Sequence, residues 1–67
     1  VRSKSESYSD SIAAQVQRKL KKLGYYTDAV DGEIGTNTRA AIRAYQEDNG
    51  LEITGRIDKA LLGSLEL

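Results

Sequence analysis

The sequence predicts an all-α fold, a three-helix bundle with two structured connecting loops, and three observations carry that expectation. Ile12, Val16, Leu20 and Leu23 recur at the helical period, so they share one face of a helix. Gly24 and Gly50 stand just past two such periodic runs, where helices commonly end in the left-handed region that glycine enters without a Cβ penalty. Asp58 precedes a third apolar run, Leu61, Leu62 and Leu65, and is a sound N-cap for a short helix.

Taken in order, residues 1–9 (Val-Arg-Ser-Lys-Ser-Glu-Ser-Tyr-Ser) are too polar to offset the entropy of ordering and are expected to form a flexible linker before a domain spanning 10–67. Asp10 or a neighbouring serine caps the first helix, expected over 10–23. From Tyr25 to Gly35 no helical period exists, and Asp31-Gly32 is a turn dipeptide. Tyr25, Tyr26, Ala29, Val30 and Ile34 are too many apolar residues for a fully solvated loop, so several should dock onto the helices. The second helix is expected over 36–49, with Thr38, Ala41, Ile42, Tyr45 and Asn49 on its inner face and Arg39 and Arg43 to the side. Leu51, Ile53 and Ile57 form a second docked loop turning at Gly55, and the third helix is expected over 58–65. Residues 30–42 laid over 53–65 share a pattern: apolar, short polar, Gly, charged, Ile, cap, helix. One turn-into-helix device is used twice.

Composition narrows the function. A chain of 67 residues forms one small domain held by apolar packing and capping, because it has neither cysteine for a disulfide nor histidine for the usual zinc ligand set. No metal and no cofactor is expected. Ten basic and ten acidic side chains cancel, which removes the simplest electrostatic case for nucleic acid or anionic lipid. Arg18, Lys19, Lys21 and Lys22 make a basic stretch, and Glu47, Asp48 and Glu52 an acidic one, both at positions expected of solvated faces. The chain starts at Val1 and has no apolar run long enough for a bilayer or a signal peptide, so it is expected to be a piece of a longer protein, without membrane insertion.

Val16-Gln17 with Leu20 and Leu23-Gly24-Tyr25-Tyr26, Val30-Asp31-Gly32-Glu33-Ile34-Gly35 with Thr38, Ala41-Ile42 with Tyr45-Gln46, and Gly50-Leu51 with Gly55 and Leu65 form a long ordered pattern. It resembles the peptidoglycan-binding domain of bacterial amidases, muramidases and related envelope proteins, over about residues 12–65. The resemblance implies a three-helix module, without chemistry of its own, that attaches a larger exported protein to peptidoglycan, by glycan strand or stem peptide, in the periplasm or cell wall. Thr54, Asp58 and Leu61 depart from the family's usual Asp, Gly and Thr, so the first loop and second helix carry the functional inference.

The candidate ligand-binding residues are Tyr25, Tyr26, Asp31, Arg39 and Gln46. Of the adjacent tyrosines, one is expected to pack inward and the other to offer an aromatic face to a sugar ring or stem peptide. Asp31, with Gly32, Gly35 and Thr38, serves either the architecture of a tight turn at the start of the second helix or a ligand. Arg39, one turn from Arg43, presents a planar fork suited to stem-peptide carboxylates, against the alternative of a solvated face. Gln46 pairs with a loop carbonyl or a ligand, and Tyr45 belongs to the core.

Other classes fit less well. No nucleophile–base arrangement exists, and the carboxylates are scattered rather than paired in an apolar pocket, so no enzyme is expected. A DNA-binding helix-turn-helix needs a connection of about three or four residues, far shorter than that from Gly24 to Gly35. The remaining alternative is a protein–protein interaction or pro-segment-like role on the same fold.

Overall fold

Ser11 opens the first helix by accepting the Ala14 N–H on its hydroxyl at 3.1 Å, filling the place expected of Asp10 or a serine beside it. The computed structural model describes residues 11–67; the expected linker over 1–9, and Asp10, lie outside the described residues. Among those residues the regular structure is α1 (Ile12–Leu23), α2 (Thr36–Asp48) and α3 (Lys59–Leu65), with no strand.

The helix ends follow from the local sequence. Gly24 adopts φ 93° past α1 and donates its N–H to the Leu20 and Lys21 carbonyls, while Lys21 and Lys22 place positive charge where the helix dipole is negative. Gly35 is the N-cap of α2 without any side-chain bond, and Asn49 with Gly50 closes that helix. Asp58 caps α3 by accepting the Leu61 N–H at 2.9 Å.

The core joins Val16 and Leu20 of α1, Ala41, Ile42 and Tyr45 of α2, Leu61 and Leu65 of α3, and Tyr26 from the first loop. Tyr25, Leu51, Ile57 and Leu62 pack on its margin. α1 contacts both other helices, and its middle is the part enclosed. Four expectations shift as a result. Ile12 and Leu23, at the two ends of the predicted stripe, are 47% and 51% exposed, because the core gathers on Val16 and Leu20 in the middle of α1 and leaves its ends uncovered. The buried face includes Ala14 and Gln17 instead. Asn49 is exposed and turns its amide back onto the Tyr45 carbonyl, and Ile53 is 52% exposed rather than docked.

Candidate functional site

Both loops are built on a buried glutamine. Gln17 on α1 is fully buried, and its carboxamide oxygen accepts the backbone N–H groups of Asp31 (3.1 Å) and Gly32 (2.8 Å). Its amide nitrogen faces Glu33 O at 2.7 Å, Asp31 Oδ1 at 3.1 Å and Thr38 Oγ1 at 3.1 Å, with the Tyr26 hydroxyl at 3.4 Å. Asp31 Oδ1 also accepts the Glu33 N–H at 3.0 Å, closing an Asx turn, and Gly32 sits at φ 77°.

The second loop repeats this scheme. Gln46 on α2 accepts the Thr54 and Gly55 N–H groups at 2.9 and 3.0 Å and donates to Thr54 Oγ1 at 3.0 Å. Thr54 Oγ1 accepts the Arg56 N–H at 3.2 Å, and Gly55 sits at φ 69°. Thr54 therefore does for its turn what Asp31 does for the first. Asp58, in place of glycine, both caps α3 and accepts from the Thr54 hydroxyl at 3.3 Å, so the departures in the second half form one connected set.

These loops and α2 enclose a groove of about 490 Å³ lined by Ile34, Arg39, Arg43, Thr54, Gly55, Arg56 and Ile57. Arg39 and Arg43 project from one flank of α2, one turn apart, and Arg56 comes from the second loop. Arg43 lies across Gly55 so closely that a Cβ there would stand 2.8 Å from its Nη1. Ile34 and Ile57, equivalent positions of the repeated device, supply the apolar lining. Among the described residues no acidic side chain lines the groove, and none of the three guanidinium groups has a salt bridge or side-chain hydrogen bond.

The residues singled out from sequence do not share one place. Arg39 lies in the groove. Tyr26 is buried, donates its hydroxyl to the Ala29 carbonyl at 2.7 Å, and edges a separate smaller pocket with Asp31, Asp28 and Glu33. Asp31 is exposed, and its carboxyl is held below the ordinary carboxylate value by the Glu33 N–H first and the Gln17 amide second. Neither Asp31 nor Thr38 caps α2; both fasten the loop to Gln17. Tyr25 is half-buried on another part of the surface, its ring edge-on to Tyr45 at 5.5 Å and its hydroxyl on Asp48 at 2.8 Å, a bond that raises its pKa. Gln46 is interior, and its oxygen takes loop N–H groups rather than its nitrogen a loop carbonyl. Sequence reasoning left Arg56 out and gave Gln17 no role; the available signal for Arg56 was its place next to Gly55 in the repeated device, on a loop that returns beside the arginine flank of α2.

Three helices whose loops frame an arginine-lined groove present a surface suited to binding. Residues 9–65 match the peptidoglycan binding domain family, and the chain belongs to that family. It is similar to the N-acetylmuramoyl-L-alanine amidase CwlM of Mycobacterium tuberculosis, 40% identical over 58 residues that cover 87% of this chain and 14% of the amidase. It is also similar to the localization factor PodJL of Caulobacter vibrioides, 45% identical over 51 residues, 76% of this chain and 5% of that protein. A third relative is the spore cortex-lytic enzyme of Halalkalibacterium halodurans, 33% identical over 52 residues, 78% of this chain and 16% of that enzyme. The chain thus spans a small fraction of the length of each relative. No solved structure matches it.

Proposed function

We propose that this chain is a non-catalytic module that attaches a larger, exported protein to bacterial peptidoglycan, with the arginine groove as its contact surface. The groove is the observation that carries this reading. Guanidinium groups without internal partners keep their capacity for bidentate bonds, and peptidoglycan stem peptides carry free carboxylates that match them. Membership of the family supports the wall as the target, and the small share of each relative that the chain covers supports attachment to further domains. No helix among the described residues is long and apolar enough to cross a membrane.

Within this reading the five candidate residues divide by role. Arg39 contacts the ligand, together with Arg43 and Arg56. Asp31 and Gln46 act by holding the two loops that frame the groove, and Tyr26 by fixing the first loop to the core. Tyr25, with its hydroxyl on Asp48 and its ring edge-on to Tyr45, stands apart from the groove and takes no part in this contact. Sedimentation of the purified chain with insoluble sacculi tests the function: wild type is expected to co-sediment, and Arg39→Ala to lose a large part of that binding with its helical spectrum unchanged. Failure to sediment with sacculi from any source would put the protein–protein interaction role in its place.

A further inference from the structure

Peptidoglycan offers two chemically different targets, a neutral glycan strand and an anionic peptide stem, and the surface of this chain discriminates between them. Sugar rings are held by aromatic faces, as amphipathic rings serve at wet interfaces. None lines the groove. Two of the three described tyrosines, Tyr26 and Tyr45, are 5% exposed, and the third, Tyr25, has its hydroxyl on Asp48 and its ring edge-on to Tyr45. What the groove does present is Arg39, Arg43 and Arg56 together with Ile34 and Ile57. A peptide that carries alanine methyls and two free carboxylates complements that lining, methyls on isoleucine and carboxylates on arginine.

We infer that, resting on the wall-binding reading above, the groove recognises the free carboxylates of uncrosslinked stem peptides and leaves the glycan unread. Three cations with no acidic neighbour in the lining call for more than one negative charge on the ligand. A stem whose terminal carboxyl has been converted to the amide of a cross-link has lost one of these charges, so the module favours wall regions where stems are still open. A parent protein carried by it would collect where peptide cross-linking is least complete. Binding of this kind weakens with ionic strength, because the guanidinium groups are at the surface.

The test uses the whole 67-residue chain, with arginine side-chain N–H signals followed by NMR. Three probes are titrated: the synthetic pentapeptide L-Ala-γ-D-Glu-L-Lys-D-Ala-D-Ala as free acid, the same peptide with both carboxyls amidated, and glycan strands stripped of peptide. The free acid is expected to shift Arg39, Arg43 and Arg56, the diamide to bind about tenfold or more weakly, as the loss of charged hydrogen bonds implies, and stripped glycan to leave the groove unmoved. Arg56→Gln is expected to lose binding of the free acid by a similar factor at unchanged melting temperature. Equal binding of acid and diamide, or a groove response to stripped glycan, in a chain that still sediments with sacculi overturns the carboxylate inference and leaves wall binding standing. Loss of sedimentation when phosphate polymers are removed from the sacculi overturns it equally, since the anion bound would then be phosphate. Failure to sediment with any sacculi removes the wall-binding reading and this inference with it.

Discussion

Gln17 and Gln46 are chemically the same side chain in the same job, yet their loops differ in one atom type that decides how each tolerates change. Around the Gln17 nitrogen stand the Asp31 carboxylate oxygen and the Glu33 carbonyl, which can only accept, besides the Thr38 and Tyr26 hydroxyls; around the Gln46 nitrogen stands the Thr54 hydroxyl, which can also donate, and no carboxylate. Gln17→Glu is therefore expected to cost roughly 2–4 kcal/mol in denaturant titrations, since a second carboxylate would face Asp31 with no proton between them. Gln46→Glu should cost less, because Thr54 can turn its hydroxyl from its long 3.3 Å bond to Asp58 toward the new oxygen. Equal losses would show that the hydroxyl does not turn. Gly32, at φ 77° and with Ser11 Oγ 3.3 Å from where a Cβ would stand, permits no branched residue, so Gly32→Val should lower the melting temperature. Asp31 adds a pH dependence whose sign is fixed. Its folded pKa is depressed below the ordinary 3.8, so its stabilisation is complete above that value and is lost as pH falls through the lower folded value. Asp31→Asn should flatten the acid limb of a pH–stability profile; an unchanged limb would assign it to other carboxylates.

Helix boundaries were legible because each is written in a few adjacent residues: Gly24 for the end of α1, Asp58 for the start of α3. The cap at Asp58 gives a direct test, since Asp58→Ala removes both the Leu61 N–H acceptor and the Thr54 partner and should cost about 1–2 kcal/mol. A loss well under that would mean the third helix is set by Leu61 and Leu65 packing alone. Which part of an apolar stripe is covered was not legible, because coverage depends on where the other elements pack along the helix rather than on the stripe. Ile12→Ala and Leu23→Ala should accordingly be mild beside Leu20→Ala, although the sequence sets all three on one face. The loops show the same division. Asp31-Gly32 and Gly55 could be read as turns from residue type, but the two glutamines that hold them reach across tertiary contacts that no local period encodes. Tyr25 and Tyr26 could be split into inner and outer, not assigned, since which of two neighbours turns inward depends on where the chain leaves Gly24.

For the whole molecule, the arrangement of burial separates stability from recognition. Folded proteins hold about 0.05–0.15 kcal/mol per residue, so a chain of this length has roughly 3–10 kcal/mol in reserve. Leu20 and Ile42 are fully buried in the single core, and truncation of either to alanine removes roughly 2–5 kcal/mol of it. Arg39 and Arg56, by contrast, are exposed and bear none of the core. Two variants thus isolate the two properties. Arg39→Ala is expected to keep the circular dichroism spectrum and melting temperature of wild type while reducing sedimentation with sacculi. Leu20→Ala is expected to lose thermal stability, and to lose sedimentation only in proportion to its unfolded fraction. The shallow groove makes single-module binding weak and reversible, which suits a tether: joined to another domain, it raises that domain's effective concentration at the wall without holding it in one place. Doubling the module in one chain should then raise retention on sacculi far more than twofold, and Arg39→Ala in both copies should remove the gain. If Leu20→Ala instead binds as wild type after unfolding, retention reflects adhesion of the unfolded chain rather than the folded groove.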